Sequence, residues 1–251
     1  MDDNSTILIS PLGAGGENTS SPLGRQPLLV RGGGRAGRYK SLVEYFSENY
    51  PEAETELAYT NPYELLIAVI LSAQCTDKRV NIVTQKLFPR FPTPEILAAA
   101  TSDEVFEYIR SVSYPNNKAK HLVGMARILV NDFNSEVPNS IEDLQKMPGV
   151  GRKTANVIVS IIFNQPAMAV DTHVFRVSHR LGLVPKTAKT PLLVEKMLVK
   201  HIPKDKIAVA HHWLILHGRY VCVARTPKCG DCNLKPFCQA FEKQKFETPH
   251  L

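Results

Sequence analysis

The chain has 251 residues, enough for one large domain or two modest ones, with ordinary globular contents of 43% hydrophobic and 22% charged residues. No apolar run is long enough for a membrane span, and no basic region leads into an apolar stretch at the N-terminus, so neither a membrane protein nor a secretory signal is predicted. A formal net charge of +6 makes polyanions candidate partners.

Residues 1–38 differ in composition from the rest of the chain. They contain eight of the fourteen glycines, three prolines, and four arginines from Arg25 to Arg38. Such a segment buries too little apolar surface to offset the entropy lost on ordering, so a disordered tail is predicted. Three interpretations of the tail stay open: a solvated extension, a mis-assigned start codon, and a segment whose arginines touch DNA.

From Tyr39 onward, apolar residues recur at helical spacing. The spacing is clearest in two groups, Leu42, Val43, Tyr45, Phe46 and Leu65, Leu66, Val69, Ile70. Asn61-Pro62 and Ser140 have the form of helix starts. No convincing run of alternating residues and no internal repeat is visible, so the predicted fold class is all-α.

Two glycines separated by one residue mark a turn between helices. One helix is expected to end near Met147 and an apolar helix to run from about Arg152 to Phe163. Gly149 and Gly151 permit backbone conformations closed to other residues and let a phosphate approach the main chain. Amides at the start of the second helix then point at that anion. The pattern is that of a helix–hairpin–helix, which grips the DNA backbone without reading sequence. A plain helix–helix turn is the alternative.

Four cysteines near the C-terminus, Cys222, Cys229, Cys232 and Cys238, form the pattern C-x6-C-x2-C-x5-C within seventeen residues. Core thiols, two disulfides and a structural zinc are alternatives, but zinc sites usually pair two short knuckles and only Cys229 and Cys232 make one. The irregular spacing favours a cubic iron–sulfur cluster, whose bulky core needs thiolates around it. The remote Cys75 is expected to be at least partly buried. Clustered free thiols fit a reducing cytoplasm.

Three histidines precede the first of these cysteines. His211, His212 and His217 could suggest a metal site. Because Trp213 lies among them, we instead expect them to pack a helix that leads into Cys222.

Several stretches resemble the endonuclease III family. They are Pro148–Asn156 (PGVGRKTAN), Val170–Arg176 (VDTHVFR), Leu71–Asp77 (LSAQCTD), His211–Arg219 (HHWLILHGR) and the cysteine loop. That family comprises DNA glycosylases and apurinic/apyrimidinic lyases of the helix–hairpin–helix superfamily, and the resemblance runs in order from about Tyr39 to the C-terminus. It implies a 4Fe–4S cluster on the four cysteines, damaged or abasic double-stranded DNA as substrate, and a monomer that works on the bacterial nucleoid in the cytoplasm.

Lys153 has the position expected of an amine nucleophile. Base excision coupled to strand cleavage needs an amine that attacks C1′ of the sugar and forms a Schiff base. Lys153 lies in the first turn after the hairpin, where the helix N-terminus and neighbouring Arg152 both disfavour a charged ammonium. A surface lysine that contacts phosphate is the alternative. The resemblance implies that Lys153 and Asp171 are the catalytic pair.

Asp171 lies eighteen residues beyond Lys153, a spacing that lets the chain return to the same place. A helix of ten or eleven residues rises ~15 Å, and the following seven residues extend up to ~23 Å. Asp171 also precedes a helical pattern, where it could be a simple N-cap. We favour a dual role, in which capping fixes a carboxylate that stabilises positive charge on the sugar and assists proton transfers.

The resemblance also implies residues that fill the gap left by an expelled nucleotide. Gln74 stands where the family has a gap-filling glutamine; a surface glutamine is the alternative. The second wedge departs from the family, which commonly has Gly-Leu-Tyr-Asn-x-Lys-Ala where this chain has Ser113-Tyr-Pro-Asn-Asn-Lys-Ala119. Tyr114 takes the place of the leucine and can stack on bases, while Pro115 stiffens the loop.

The remaining predicted DNA contacts are cations and hairpin glycines. Arg225 and Lys228 lie inside the cysteine loop and are expected to reach phosphates, with ordinary solvated charges as the alternative. Gly149, Gly151 and Arg152 of the hairpin complete the predicted set.

Two domains are expected, with DNA in the cleft between them. Residues 55–165 would form a six-helix barrel ending in the hairpin, and residues 39–54 would join 166–251 in an iron–sulfur domain. The predicted function is a bifunctional glycosylase and lyase that removes oxidised pyrimidines and nicks the strand by β-elimination. One rival is a monofunctional relative, which characteristically lacks the lysine. The other is a non-catalytic, zinc-stabilised DNA-binding module.

Overall fold

A computed structural model describes residues 34–247 of the chain, and every regular element in that range is helical, which confirms the all-α class. The α-helices are α1 (Arg35–Asn49), α2 (Pro62–Ser72), α3 (Asp77–Arg90), α4 (Pro94–Ala99), α5 (Ser102–Ile109), α6 (Pro115–Asp132), α7 (Ile141–Leu144), α8 (Arg152–Phe163), α9 (Thr172–Leu181), α10 (Pro191–His201), α11 (Ile207–Tyr220) and α12 (Gln239–Glu247). Short 3-10 helices cover Lys204–Lys206 and Lys235–Phe237. None of the described helices is long and apolar enough to cross a membrane.

The predicted helix starts are confirmed at the level of single hydrogen bonds. Asn61 accepts a hydrogen bond from the amide of Glu64, with Pro62 as the first helical residue, and Ser140 caps α7 in the same way. The predicted range of α8 is also confirmed. The helix before the hairpin ends at Leu144 rather than near Met147. Beyond it, the amides of Lys146 and Met147 bond to carbonyls three residues back, as in turns.

The predicted boundary of the N-terminal tail is wrong by several residues. Residues 1–33 lie outside the described range, but α1 begins at Arg35. Arg38 is held from the far end of the chain, since its Nε donates to the carbonyl of Phe237 and its guanidinium pairs with Glu242, both at 3.2 Å. Composition cannot reveal contacts across about two hundred residues.

Buried apolar side chains form two clusters. The first core contains residues between Leu57 and Ala167 and is built by α2 to α8 around α2, which is buried on nearly every side and is therefore apolar all round. The second core joins α1 to α9, α10 and α11, together with Leu234 and Phe237. The chain enters the first core after Ala53 and leaves it before Met168. The two-domain division itself stays a prediction.

The histidines of α11 are packed in the protein interior, as predicted. His211, His212 and His217 are all buried. Trp213 is 1% exposed, stacks on Phe46, and donates its indole N–H to a backbone carbonyl of the loop after α1. These contacts fix α11 against α1.

Candidate active site

A small open cleft is lined by residues of both cores. Apolar side chains of α2, α8 and α11 form part of its wall. Its polar lining includes Asp77, Lys153, Asp171, His211, His212 and Arg219. The two residues predicted as a catalytic pair thus share one cleft, although α8 belongs to the first core and α9 to the second.

Asp171 is the N-cap of α9, as predicted. Its Oδ1 accepts the backbone amides of His173 at 2.9 Å and Val174 at 2.8 Å, while Oδ2 lies 2.9 Å from Nδ1 of His173. Burial alone would raise the pKa of Asp171, but these hydrogen bonds and the charges of His173 and Lys153 outweigh burial and lower it. The carboxylate is therefore held ionised and in one orientation.

The cleft also contains a histidine that sequence reasoning assigned only to packing. His211 is 2% exposed, and its Nδ1 has no hydrogen-bond partner within the described chain. Burial lowers the pKa of His211 to about 4 and that of His212 to about 3. Both imidazoles are thus neutral at pH 7, so Lys153 and Arg219 provide the positive charge on this side of the cleft.

Lys153 is the second residue of α8 and is exposed. The N-cap of this helix, Gly151, offers no side-chain hydrogen bond, and the first turn contains no acidic residue. The first amides of α8 are therefore left for an external acceptor, and an uncapped helix N-terminus is a ready anion site. This agrees with the hairpin prediction.

The two hairpin glycines differ in what they contribute. Gly149 has φ of 82°, in the left-handed region, and an added Cβ would meet the His121 ring at 3.0 Å. Gly151 has φ of −89°, which any residue can adopt, so the prediction of a special backbone conformation is wrong there. An added Cβ at Gly151 would meet nothing within 4 Å, so its missing side chain only keeps this surface open.

Arg152, predicted to contact DNA, makes an ion pair inside the protein. Its Nε lies 3.1 Å and its Nη2 2.5 Å from the two carboxylate oxygens of Glu195 on α10. The hydrogen bond to Glu195 raises the pKa of Arg152 above its ordinary value. Sequence reasoning missed Glu195, and the role of Arg152 in DNA binding stays a prediction.

The two predicted wedges lie side by side. Gln74 follows α2 and Tyr114 precedes α6; both are exposed, and both have φ of 54°. The hydroxyl of Ser113 donates to the carbonyl of Gln74, which ties the two loops together. Left-handed conformations are costly for residues other than glycine, and such strain recurs at functional sites. Pro115 becomes the first residue of α6, so it starts a helix.

A buried lysine supports this pair of loops, and sequence reasoning missed its role. Lys118 is 5% exposed, and its Nζ donates to the carbonyls of Leu71 at 2.8 Å and Ala73 at 2.7 Å. Burial lowers the pKa of Lys118. It satisfies carbonyls at the end of α2, where the helix itself supplies no donors.

The four clustered cysteines are all partly buried free thiols. Cys222, Cys229 and Cys238 each act electrostatically on Cys232, so the four sulfurs lie in one neighbourhood. Burial raises the pKa of Cys232 to about 11 and also raises that of Cys238. In the described range, no three His, Cys, Asp or Glu side chains form a group that would hold a single metal ion. An iron–sulfur cluster instead places four thiolates around a bulky core.

Two arginines of α9 hold the start of the cysteine loop. Arg176 donates to the carbonyls of Gly218 at 2.8 Å and Cys222 at 3.1 Å. Arg180 donates to the carbonyls of Val223 and Ala224, both at 2.7 Å, and one of its nitrogens lies 3.5 Å from the sulfur of Cys222. Sequence reasoning missed both arginines, although their i, i+4 spacing puts them on one helix face.

The two predicted cations of the cysteine loop are exposed. Arg225 and Lys228 lie between Cys222 and Cys229 and extend from a backbone held by Arg180 and by the hydrogen bond from the Lys228 amide to Val221. They are therefore available to an external anion.

Comparison with known proteins agrees with this geometry. Residues 67–204 match the family described as the HhH-GPD superfamily of base excision DNA repair proteins. Endonuclease III of Rickettsia felis is 46% identical over 200 residues, covering 80% of this chain and 93% of that protein. For the Escherichia coli K12 enzyme the values are 45% over 202 residues, 80% and 95%. A solved structure of a trapped endonuclease III–DNA covalent intermediate superposes with a TM-score of 0.78 at 44% identity, covering 84% of this chain and 98% of that one.

The matched range of the family model includes the hairpin and both Lys153 and Asp171. At this identity and coverage, the similarities establish common ancestry as well as a common fold. The chain belongs to the HhH-GPD superfamily of base excision DNA repair proteins and, within it, to the endonuclease III family.

Proposed function

We propose that the protein is a bifunctional DNA glycosylase and apurinic/apyrimidinic lyase that removes oxidised pyrimidines from duplex DNA. The observation that carries this proposal is the convergence of Lys153 and Asp171 on one cleft. A lysine amine makes covalent lyase chemistry possible, and a purely DNA-binding module needs no such pair. The domains are residues 55–165 and residues 39–54 with 166–251, and DNA lies between them.

Lys153 acts as the nucleophile in this mechanism. Its neutral amine attacks C1′, the damaged base leaves with the electrons of the glycosidic bond, and the sugar ring opens to an iminium ion. Loss of a proton from C2′ then breaks the C3′–O bond and nicks the strand. Water hydrolyses the remaining imine and regenerates the lysine.

Asp171 stabilises the positive charge that develops on the sugar while the base leaves. A carboxylate fixed by two backbone amides and His173 needs no reorganisation at that moment, which is the condition for strong electrostatic catalysis. It also accepts and returns protons around the amine.

DNA binding uses the uncapped start of α8 and the exposed cations of the cysteine loop. Amides after Gly151 bind one backbone phosphate, and Arg225 and Lys228 bind others. Gln74 and Tyr114, on adjacent loops, occupy the space left by the expelled nucleotide.

The four clustered cysteines fit a 4Fe–4S cluster in number, in donor type and in being free thiols. Cys222, Cys229, Cys232 and Cys238 would be the ligands. When bound, the cluster cross-links the loop and thereby shapes the surface that carries Arg225 and Lys228. We place the protein, as a monomer, on DNA in the bacterial cytoplasm.

Borohydride trapping tests the proposed function. Reduction of the Schiff base on abasic duplex DNA should give one covalent protein–DNA species with the unaltered protein. Lys153→Gln keeps a similar length and hydrogen-bonding capacity but cannot form an imine, so trapping should vanish while DNA binding persists. The product is measured by denaturing gel.

Lys146→Gln is the matched control, because it also removes an exposed lysine near the hairpin. It should trap like the unaltered protein. Undiminished trapping by Lys153→Gln would move the nucleophile to another amine, and excision without any trapping in the unaltered protein would favour the monofunctional alternative.

A further inference from the structure

The start of α8 needs an external support that the sequence around it does not provide. Gly151 gives no side-chain cap, and no acidic residue of the first turn balances the helix dipole. First turns without such partners fray readily. Lys153 lies in this turn, so its position depends on whatever else holds the turn.

The Arg152–Glu195 ion pair ties this turn to α10. Its two contacts, at 3.1 and 2.5 Å, make the bidentate geometry in which an arginine is held most specifically. The Glu195 side chain is 13% exposed and that of Arg152 is 50% exposed, so the carboxylate is shielded from solvent while the guanidinium is still partly accessible.

The pair also joins two parts of the protein that otherwise pack separately. α8 contributes Ala155 and Ile158 to the first core, while α10 contributes Val194 and Leu198 to the second. Asp171, at the start of α9, adjoins the second core. An ion pair across this boundary therefore fixes how far the Lys153 end of α8 lies from Asp171.

We propose that Glu195 is a positioning residue of the excision reaction, which clamps Arg152 and so holds Lys153 in place relative to Asp171. This inference rests on the proposed function. It assigns Arg152 a structural partner inside the protein rather than a phosphate, and it gives Glu195 a role at a distance from the reacting atoms.

Glu195→Gln tests the inference, because it keeps the shape of the side chain and removes the charge of the clamp. We expect the single-turnover excision rate at saturating enzyme to fall about 10-fold or more, since small misplacements of a reacting group are costly. The rate of borohydride trapping should fall in parallel. Arg152→Gln should cause a similar loss, and the double variant should lose little more than either single one.

Asp143→Asn is the matched control. It removes the same charge from a carboxylate near the hairpin whose partner is Lys146 in its own segment, and it should leave both rates unchanged. Melting temperature and DNA affinity are measured for all variants. A purely structural role would lower the melting temperature of Glu195→Gln without changing its single-turnover rate at 25 °C, and that result would overturn the inference.

If Arg152 instead binds a phosphate, Glu195→Gln should increase the affinity for DNA. Glu195→Gln would then release a cation, tighten DNA binding and steepen its salt dependence by about one unit of slope, with excision unchanged. That outcome would also overturn the inference. Absence of excision in the unaltered protein would instead reject the proposed function, so the two failures are distinguishable.

Discussion

In the proposed mechanism, Asp171 combines a capping role and a catalytic role, because its two carboxylate oxygens can serve different partners. Oδ1 is used by the two amides at the start of α9, which is ordinary helix capping. Oδ2 lies within hydrogen-bond distance of Nδ1 of His173, and Lys153 acts on the carboxylate as a charge. The capping bonds fix where the second oxygen points, so helix capping would also position the carboxylate for the proposed chemistry.

Asp171→Asn should separate the two roles. Asparagine caps helices about as well as aspartate, so the melting temperature should change little. The negative charge is lost, so excision should fall by about 10²–10³-fold, the usual effect of removing one well-placed electrostatic group. Trapping on an already abasic site should persist in part, because Lys153 remains. An equal loss of trapping and excision would show that Asp171 acts mainly through the lysine.

The pH dependence of Asp171 follows from its lowered pKa. A carboxyl group whose pKa is lower in the folded state stabilises the fold above its unfolded pKa of about 3.9, and that stabilisation is lost as pH falls through the folded value. Asp171 should therefore be fully ionised from pH 5 to 8. An excision profile that shows an inflection above pH 5 in the unaltered protein but not in Asp171→Asn would contradict this.

At the scale of elements, the local sequence predicted the starts of helices, because a helix start depends on residues close to it in the chain. The starts of α2, α7, α8 and α9 follow from a capping side chain or from a proline or glycine at the right place. The pairing of Arg152 with Glu195 and the scaffolding by Arg176 could not be predicted in this way. Their partners are more than forty residues away, and their distances depend on how helices pack.

The cysteine loop is an element with little regular structure, so its shape depends on cross-links. Cys229→Ala leaves three thiolates, which cannot complete the coordination of a 4Fe–4S cluster. We expect loss of iron and of the visible thiolate-to-iron absorbance, with weaker DNA binding. Cys75→Ala is the control, because Cys75 packs against the first core. Full iron content in Cys229→Ala would show that the ligand assignment is wrong.

At the scale of the whole molecule, residue patterns predicted the class of the fold but not the contacts between helices that are distant in sequence. α1 and α11 are far apart in sequence, yet Phe46 and Trp213 stack at 5.5 Å between ring centres. Arg219 of α11 pairs with Glu56 and Asp77 across the cleft. Only the family resemblance, and no residue pattern by itself, predicted that the chain returns to its start in this manner.

The net charge of +6 can act on DNA only through cations that face it. We expect the double variant Arg225→Ala, Lys228→Ala to bind all duplexes more weakly and to reduce the salt dependence by up to about 2 units of slope, roughly one per phosphate contact. Lys40→Ala with Arg110→Ala removes the same charge from cations that pair with nearby glutamates of α1 and α5, so its slope should not change. Binding is measured by titration at several salt concentrations. A loss confined to duplexes with particular lesions would mean that Arg225 or Lys228 reads the damaged base instead of holding the backbone.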